Sequence, residues 1–179
     1  ARATARACGC FERMSFRLCD GLSGIAPEEV DALVIAGMGG ETIANILEAA
    51  PWVKEKDFPI ILQPMSTQAE LRGWLWRNGF LCLREKTVLE GETLYSIILA
   101  RQGGAVPMTP AEEWAGRQYP GMEDPLRGLL LDHLLGRVRR ALDGMARSRA
   151  PAEARRRELE QVLEGLMEMR KEWDAWQQR

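Results

Sequence analysis

The sequence predicts an α/β fold: a mostly parallel sheet with helices on its faces and an antiparallel edge, followed by an α-helical antiparallel coiled-coil hairpin. Three observations carry that expectation. The run Ala32-Leu33-Val34-Ile35-Ala36 has no charge, and Gly37, Gly39 and Gly40 break it before an amphipathic helix pattern starting at Glu41; so apolar a strand is expected to be buried on both faces. Strand-like and helix-like segments alternate around it and end in two strand-like segments joined across Glu90-Gly91-Glu92. Beyond residue 126, strand formers almost vanish and apolar residues fall into heptads.

The elements follow in order. Residues 3–10 look like the end of a helix that stops near Gly9. Met14 to Cys19 alternates enough to predict a strand, closed by an Asp20-Gly21 turn. Pro27-Glu28-Glu29 opens a short helix, because proline suits the first helical position and acids suit its positive end. Residues 32–38 form the next strand and 41–50 its helix. Phe58 to Pro64 is a third strand. Thr67-Gln68-Ala69-Glu70 has capping-box spacing, which predicts a helix over 68–78 ended by Gly79, with Leu71, Trp74, Leu75 and Asn78 on one side.

Cys82–Leu89 and Thr93–Ala100 pair as an antiparallel hairpin. Residues 1–103 are thus one α/β part, and residues 104–125 are a linker in which Thr109-Pro110-Ala111-Glu112 starts a short helix. Within 126–179, Leu131, Leu135, Val138, Leu142 and Met145 make one heptad seam. Leu159, Val162, Leu166, Met169, Trp173 and Trp176 make the other. Ser148 to Ala152 is the turn between them, so the two helices run antiparallel.

Composition narrows the function classes. A net charge of −2 over 179 residues gives no global pull toward polyanions, so any nucleic-acid contact must come from a local patch. Cys8, Cys10, Cys19 and Cys82 show no zinc-ligand spacing, and reduced thiols in a cytoplasmic protein are expected. No apolar run approaches a membrane span. The chain opens on Ala1-Arg2-Ala3-Thr4-Ala5, apparently in mid-helix, and a natural domain entered part-way is expected.

Arg17-Leu18-Cys19-Asp20-Gly21-Leu22, Ile35-Ala36-Gly37-Met38-Gly39-Gly40, Ile61-Leu62-Gln63-Pro64 and Leu71-Arg72-Gly73-Trp74-Leu75 together resemble the bacterial tRNA adenine-22 N1-methyltransferases, the TrmK-type family. The resemblance is close over about 15–102 and holds for the C-terminal helices only in layout. It implies the C-terminal part of a Rossmann-like class I methyltransferase domain, with S-adenosylmethionine as donor and tRNA as acceptor. The family's main cofactor motifs are expected upstream of this chain. Met65 departs from the family, which commonly has Asn after Gln-Pro.

The resemblance implies that Asp20 accepts from the cofactor's adenine amino group, with Gly21, Leu22, Ala36 and Gly37 beside it. Read alone, Asp20-Gly21 is equally a turn-forming pair. Gly37, Met38, Gly39 and Gly40 would form the wall between donor and target base, and Gln63 with Pro64 would meet an adenine edge. A tight strand-to-helix turn and a capped strand end are the plain alternatives. Adenine N1 has its own lone pair, so alignment rather than proton abstraction is the work required. That suits a chain whose single histidine, His133, flanks the helical seam.

Arg137, Arg140, Arg147, Arg149, Arg155, Arg156 and Arg157 crowd the bend of the helical hairpin and are candidate RNA contacts; a solvated, partly balanced surface is the alternative. Trp173 and Trp176 are expected to pack in the seam. A non-catalytic RNA-binding or protein-interaction module, or a related methyltransferase with another acceptor, stays open.

Overall fold

The structure, a computed structural model, describes residues 1–147 and 153–178. Helix α1 (Arg2–Ala7) is followed by two single 3-10 turns, Phe11–Arg13 and Pro27–Glu29. The strand expected over Met14–Cys19 does not form. Its side chains are held within their own loop: Phe16 stacks on Phe11 at 5.5 Å, and Arg17 donates to the Gly24 carbonyl at 2.8 Å and pairs with Glu29. Leu18 is fully exposed. Alternation supplies two faces but no ladder partner, and a strand needs both. The Arg17 guanidinium and the Ala26 N–H hold the Glu29 carboxyl down at about 2. This tie is therefore intact above the ordinary carboxylate range and is lost as pH falls through about 2.

Strand β1 (Leu33–Gly39), helix α2 (Gly40–Glu48), strand β2 (Ile60–Ser66) and helix α3 (Gln68–Arg77) lead to the hairpin of β3 (Phe80–Glu90) and β4 (Thr93–Gln102). The sheet order is β1-β2-β4-β3. Only β1–β2 is parallel among the described residues; β2–β4 and β4–β3 are antiparallel. β1, β2 and β3 therefore run in one direction and β4 against them, so the expected parallel strands and antiparallel hairpin are present, without the strand expected over Met14–Cys19. Gly91 takes φ 59° in the tight turn between β3 and β4.

Both crossover helices lie on one face. Leu33, Ile35, Ile60, Leu62, Ile98 and Ala100 are buried there with Ile43 and Leu47 of α2 and Leu71 and Leu75 of α3. The described residues leave the opposite face uncovered, and Val34 there is 63% exposed. β2 starts later than expected, at Ile60, and runs through Pro64 to Ser66.

The predicted capping box at Thr67 does not form either. Thr67 sits in the left-handed region, and its hydroxyl accepts the Glu41 N–H at 3.1 Å instead of capping α3. The equivalent box at Thr109 does form: its Oγ1 accepts the Glu112 N–H at 3.2 Å, and its N–H donates to Glu112 Oε2 at 2.8 Å. It opens helix α4 (Pro110–Ala115).

Helices α5 (Arg127–Arg147) and α6 (Glu153–Gln177) build a second core with Ala111 and Ala115 of α4. Leu131, Leu135, Val138, Leu159, Val162, Leu166, Met169 and Trp173 are buried as the seams require, while Leu142, Met145 and Trp176 pack at its edge. Trp173 meets Trp176 edge-on at 6.4 Å. The expected turn Ser148–Ala152 lies outside the described residues.

A buried polar joint connects the two cores. Arg72 of α3 donates through Nε and Nη2 to the Glu85 carboxylate of β3, at 2.8–3.1 Å. Its Nη1 donates to the carbonyls of Glu113 and Trp114, each at 2.9 Å. Arg127, also buried, donates to the carbonyls of Ala115 and Gly116. Burial draws Arg127 down to about 10, which leaves it a cation at neutral pH. Thr87 Oγ1 donates to the buried Asp124 carboxylate at 2.7 Å.

Candidate functional site

The parallel register sets Ala36 of β1 beside Gln63 of β2, and the ladder then bulges past Gly37. Gly37 takes φ 75°, a conformation that favours glycine. A Cβ placed on Gly37 would meet nothing within 4 Å, so the main chain here faces open space. The Gly37 N–H donates to Gln63 Oε1 at 2.8 Å. That bond fixes the amide: its oxygen is engaged, and Nε2 donates only weakly, to the Met65 thioether at 3.3 Å and the Pro64 carbonyl at 3.5 Å. Met38 is exposed and Pro64 is buried beneath the site.

The next two glycines let two chain segments touch. A Cβ on Gly39 would come within 3.1 Å of Ser66 Oγ, and one on Gly40 would overlap the Thr67 carbonyl. Residues 37–41 and 63–67 therefore form one continuous mouth at the C-terminal ends of β1 and β2. In sheets of this kind, ligands bind outside those ends.

Asp20, Gly21 and Leu22 lie apart from the centre of this mouth. Gly21 packs on Ile46, six residues and about 9 Å along α2 from Gly40. Asp20 is exposed, and its carboxylate makes no hydrogen bond among the described residues. Ala36 is exposed beside Gly37. A separate cleft of about 530 Å³ runs between Cys19, Leu22, Ile25 and Leu33. Leu33 begins β1, about 13 Å along the strand from Gly37, so this cleft does not open at the glycines.

The hairpin arginines divide into two groups. On α6, Arg155 pairs with Glu158 at 2.7 Å, Arg156 with Glu160 at 2.9 Å and Arg157 with Glu153 at 3.7 Å. On α5, Arg137, Arg140 and Arg147 are exposed and pair with no carboxylate among the described residues. Arg149 lies outside those residues. The Arg137 guanidinium rests 5.6 Å from the centre of the Trp114 indole.

The mouth offers bare main chain, one oriented amide donor and no histidine. His133 is exposed on α5. The arrangement can align a planar base, and its one carboxylate, Glu41, is exposed on the first turn of α2. Sequence reasoning singled out Met65 but missed Thr67 and Trp114 as parts of this region. Thr67 carried a capping pattern that concealed its tertiary bond, and no local pattern marks Trp114.

A family model described as a methyltransferase domain matches residues 1–98. The tRNA (adenine(22)-N(1))-methyltransferase of Bacillus subtilis (strain 168) is 36% identical over 95 residues, which is 53% of this chain. The chain thus spans 40% of the length of that curated relative. Among solved structures, a putative tRNA (m1A22) methyltransferase of Streptococcus pneumoniae superposes with a TM-score of 0.76 at 24% identity, covering 94% of this chain and 74% of that one. A complex of the same protein with S-adenosyl-L-methionine gives a TM-score of 0.75 at 24% identity, covering 94% and 73%. At that identity the likeness is one of fold, and its coverage extends beyond residue 98 into the helical hairpin.

Proposed function

Because the chain belongs to the methyltransferase-domain family, we propose that it serves methyl transfer from S-adenosylmethionine to N1 of an adenine in tRNA, at position 22 as in the name of its Bacillus subtilis relative. The observation that carries this reading is the bond between the Gly37 N–H and Gln63 Oε1 at the open end of β1. It leaves the amide's Nε2 with only a thioether at 3.3 Å and a carbonyl at 3.5 Å as acceptors, which an adenine ring nitrogen other than N1 would displace as the better acceptor. The N1 lone pair then stays free to attack.

The residues present suit the donor. S-adenosylmethionine would supply an electrophilic methyl group carried on a sulfonium. Asp20 has an unengaged carboxylate to accept from an adenine amino group, with Gly21 and Leu22 beside it. The uncluttered surface of Ala36 and Gly37 leaves room for the donor's reactive end. Met38, Gly39 and Gly40 would wall the target base, and Pro64 would hold the direction of the chain after Gln63. No proton need be removed before attack, so positioning supplies the rate.

The acceptor strand must present an unstacked base, at a cost of a few kcal/mol that RNA contacts have to offset. Arg137, Arg140 and Arg147 are better placed to do so than Arg155, Arg156 and Arg157, whose charges are met by glutamates on their own helix. Among the described residues no helix is long and apolar enough to cross a membrane. This reading places the protein in the cytoplasm with its tRNA.

The test is an assay of the full-length protein on unmodified tRNA with labelled donor, mapping the methylated nucleotide. Gln63→Glu retains the acceptor for the Gly37 N–H and removes the Nε2 donor. Turnover should fall by about 100-fold, the scale of losing one oriented donor, with the melting temperature unchanged. Parental turnover in Gln63→Glu would remove the role given to Gln63, and methyl on a base other than adenine would remove the acceptor assignment.

A further inference from the structure

Beside the mouth, a cleft of about 260 Å³ separates the sheet from the helical hairpin. It is lined by Ser66, Thr67, Gln68, Trp114, Arg137 and Arg155. Ser66 and Thr67 continue directly from Gln63 and Pro64, so the cleft and the mouth share one strand end. Gln63 and Thr67 are four residues apart, about 13 Å in extended chain.

We propose that this cleft seats a phosphodiester of the RNA strand next to the target adenosine, held chiefly by Arg137. The proposal rests on the tRNA reading above and names where the strand leaves the mouth.

Two arginines converge on the cleft from different helices, and they differ in kind. Arg155 has Glu158 at 2.7 Å, which offsets its charge. Arg137 has no carboxylate partner among the described residues, and it lies over the Trp114 indole at 5.6 Å. The Trp114 main chain is held by the buried Arg72 at 2.9 Å, and its ring packs against the helical core. The guanidinium is thus steadied without being neutralised, and it keeps its planar donors for an anion.

The start of α3 adds to this. The Thr67 hydroxyl accepts the Glu41 N–H, so the first-turn amides of α3 carry no side-chain cap from it where they border the cleft. Uncapped amides and the helix dipole both favour negative charge. One lining group opposes: Glu70 is exposed on the first turn of α3 and repels an anion. Its removal is therefore informative.

The experiment measures unmodified-tRNA binding by fluorescence anisotropy at several salt concentrations, using the parent, Arg137→Ala, Arg137→Lys and Glu70→Gln. Both positions are exposed, and alanine suits a helix interior, so folding is checked simply by circular dichroism. Arg137→Ala should weaken binding about ten-fold and reduce the salt slope by about one, as for loss of one phosphate contact. Arg137→Lys should recover part of the loss, and Glu70→Gln should tighten binding.

A second arm adds inorganic phosphate against chloride at matched ionic strength. No competition beyond that of chloride is expected. Strong competition would show that the cleft serves a small anion and would overturn the assignment to RNA. Parental affinity and slope in Arg137→Ala would overturn the cleft while leaving methyl transfer intact. Absence of tRNA binding by the parent would remove the tRNA reading and the cleft together.

Discussion

Gly37 and Gly40 are glycines for opposite reasons. Gly37 needs its φ of 75° but has empty space where a side chain would stand. Gly40 needs no unusual backbone angle, yet any side chain there would overlap the Thr67 carbonyl. Gly37→Ala should cost about 1–2 kcal/mol, the price of a left-handed alanine. At Gly40, an alanine gains about 1 kcal/mol of helix propensity, but the overlap is with backbone and should outweigh it by roughly 3 kcal/mol. Urea unfolding of both variants decides the matter: equal stability losses would contradict the contrast. Position 63 shows how far such a site can be inferred from residues alone. A glutamine at a strand end marks a polar group at the sheet's mouth. Which of its amide atoms remains available depends on the pairing of Ala36 with Gln63, a contact between residues far apart in the chain.

Among the elements, the clearest sequence signals were those generated by local repetition. The seams on α5 and α6 follow from heptads, and their predicted members are buried or packed at the core edge. Leu166→Ala, at a fully buried seam position, should cost about 2–5 kcal/mol. Its neighbour Met167 is half exposed, and Met167→Ala should stay within about 0.5 kcal/mol. Chemical denaturation of the two separates seam from surface; comparable losses would mean the seam is wrongly assigned. Elements that depend on a partner were less legible. Met14–Cys19 alternates like a strand, but nothing in those six residues says whether a ladder edge is available. The uncharged run at Val34 likewise predicts two covered faces, whereas coverage depends on which side both crossover helices take. Thr67 and Thr109 carry the same capping spacing, and only Thr109 caps, because the start of α2 competes for the Thr67 hydroxyl.

The molecule as a whole has two apolar cores and one polar joint between them. Arg72 is fully buried and Glu85 nearly so, so removing one partner leaves a stranded charge. Arg72→Met should therefore destabilise by about 3–5 kcal/mol. It should also uncouple the helical core from the sheet, splitting one calorimetric transition into two. A single transition at the parental temperature would show that the joint does not couple the cores. This joint had no sequence signature, since Arg72 meets residues 13, 41 and 42 positions away. Its construction bears on which positions can vary. On α4, Arg72 grips carbonyl oxygens, which every amino acid supplies, so the fastening places no demand on the side chains of residues 113 and 114. Those side chains are at liberty for other work: the Glu113 carboxylate accepts from the Trp76 indole, and the Trp114 ring lies under Arg137. A lineage could retune that outer surface for a different polymer without loosening the clasp beneath it, provided Arg72 and Glu85 stay as they are.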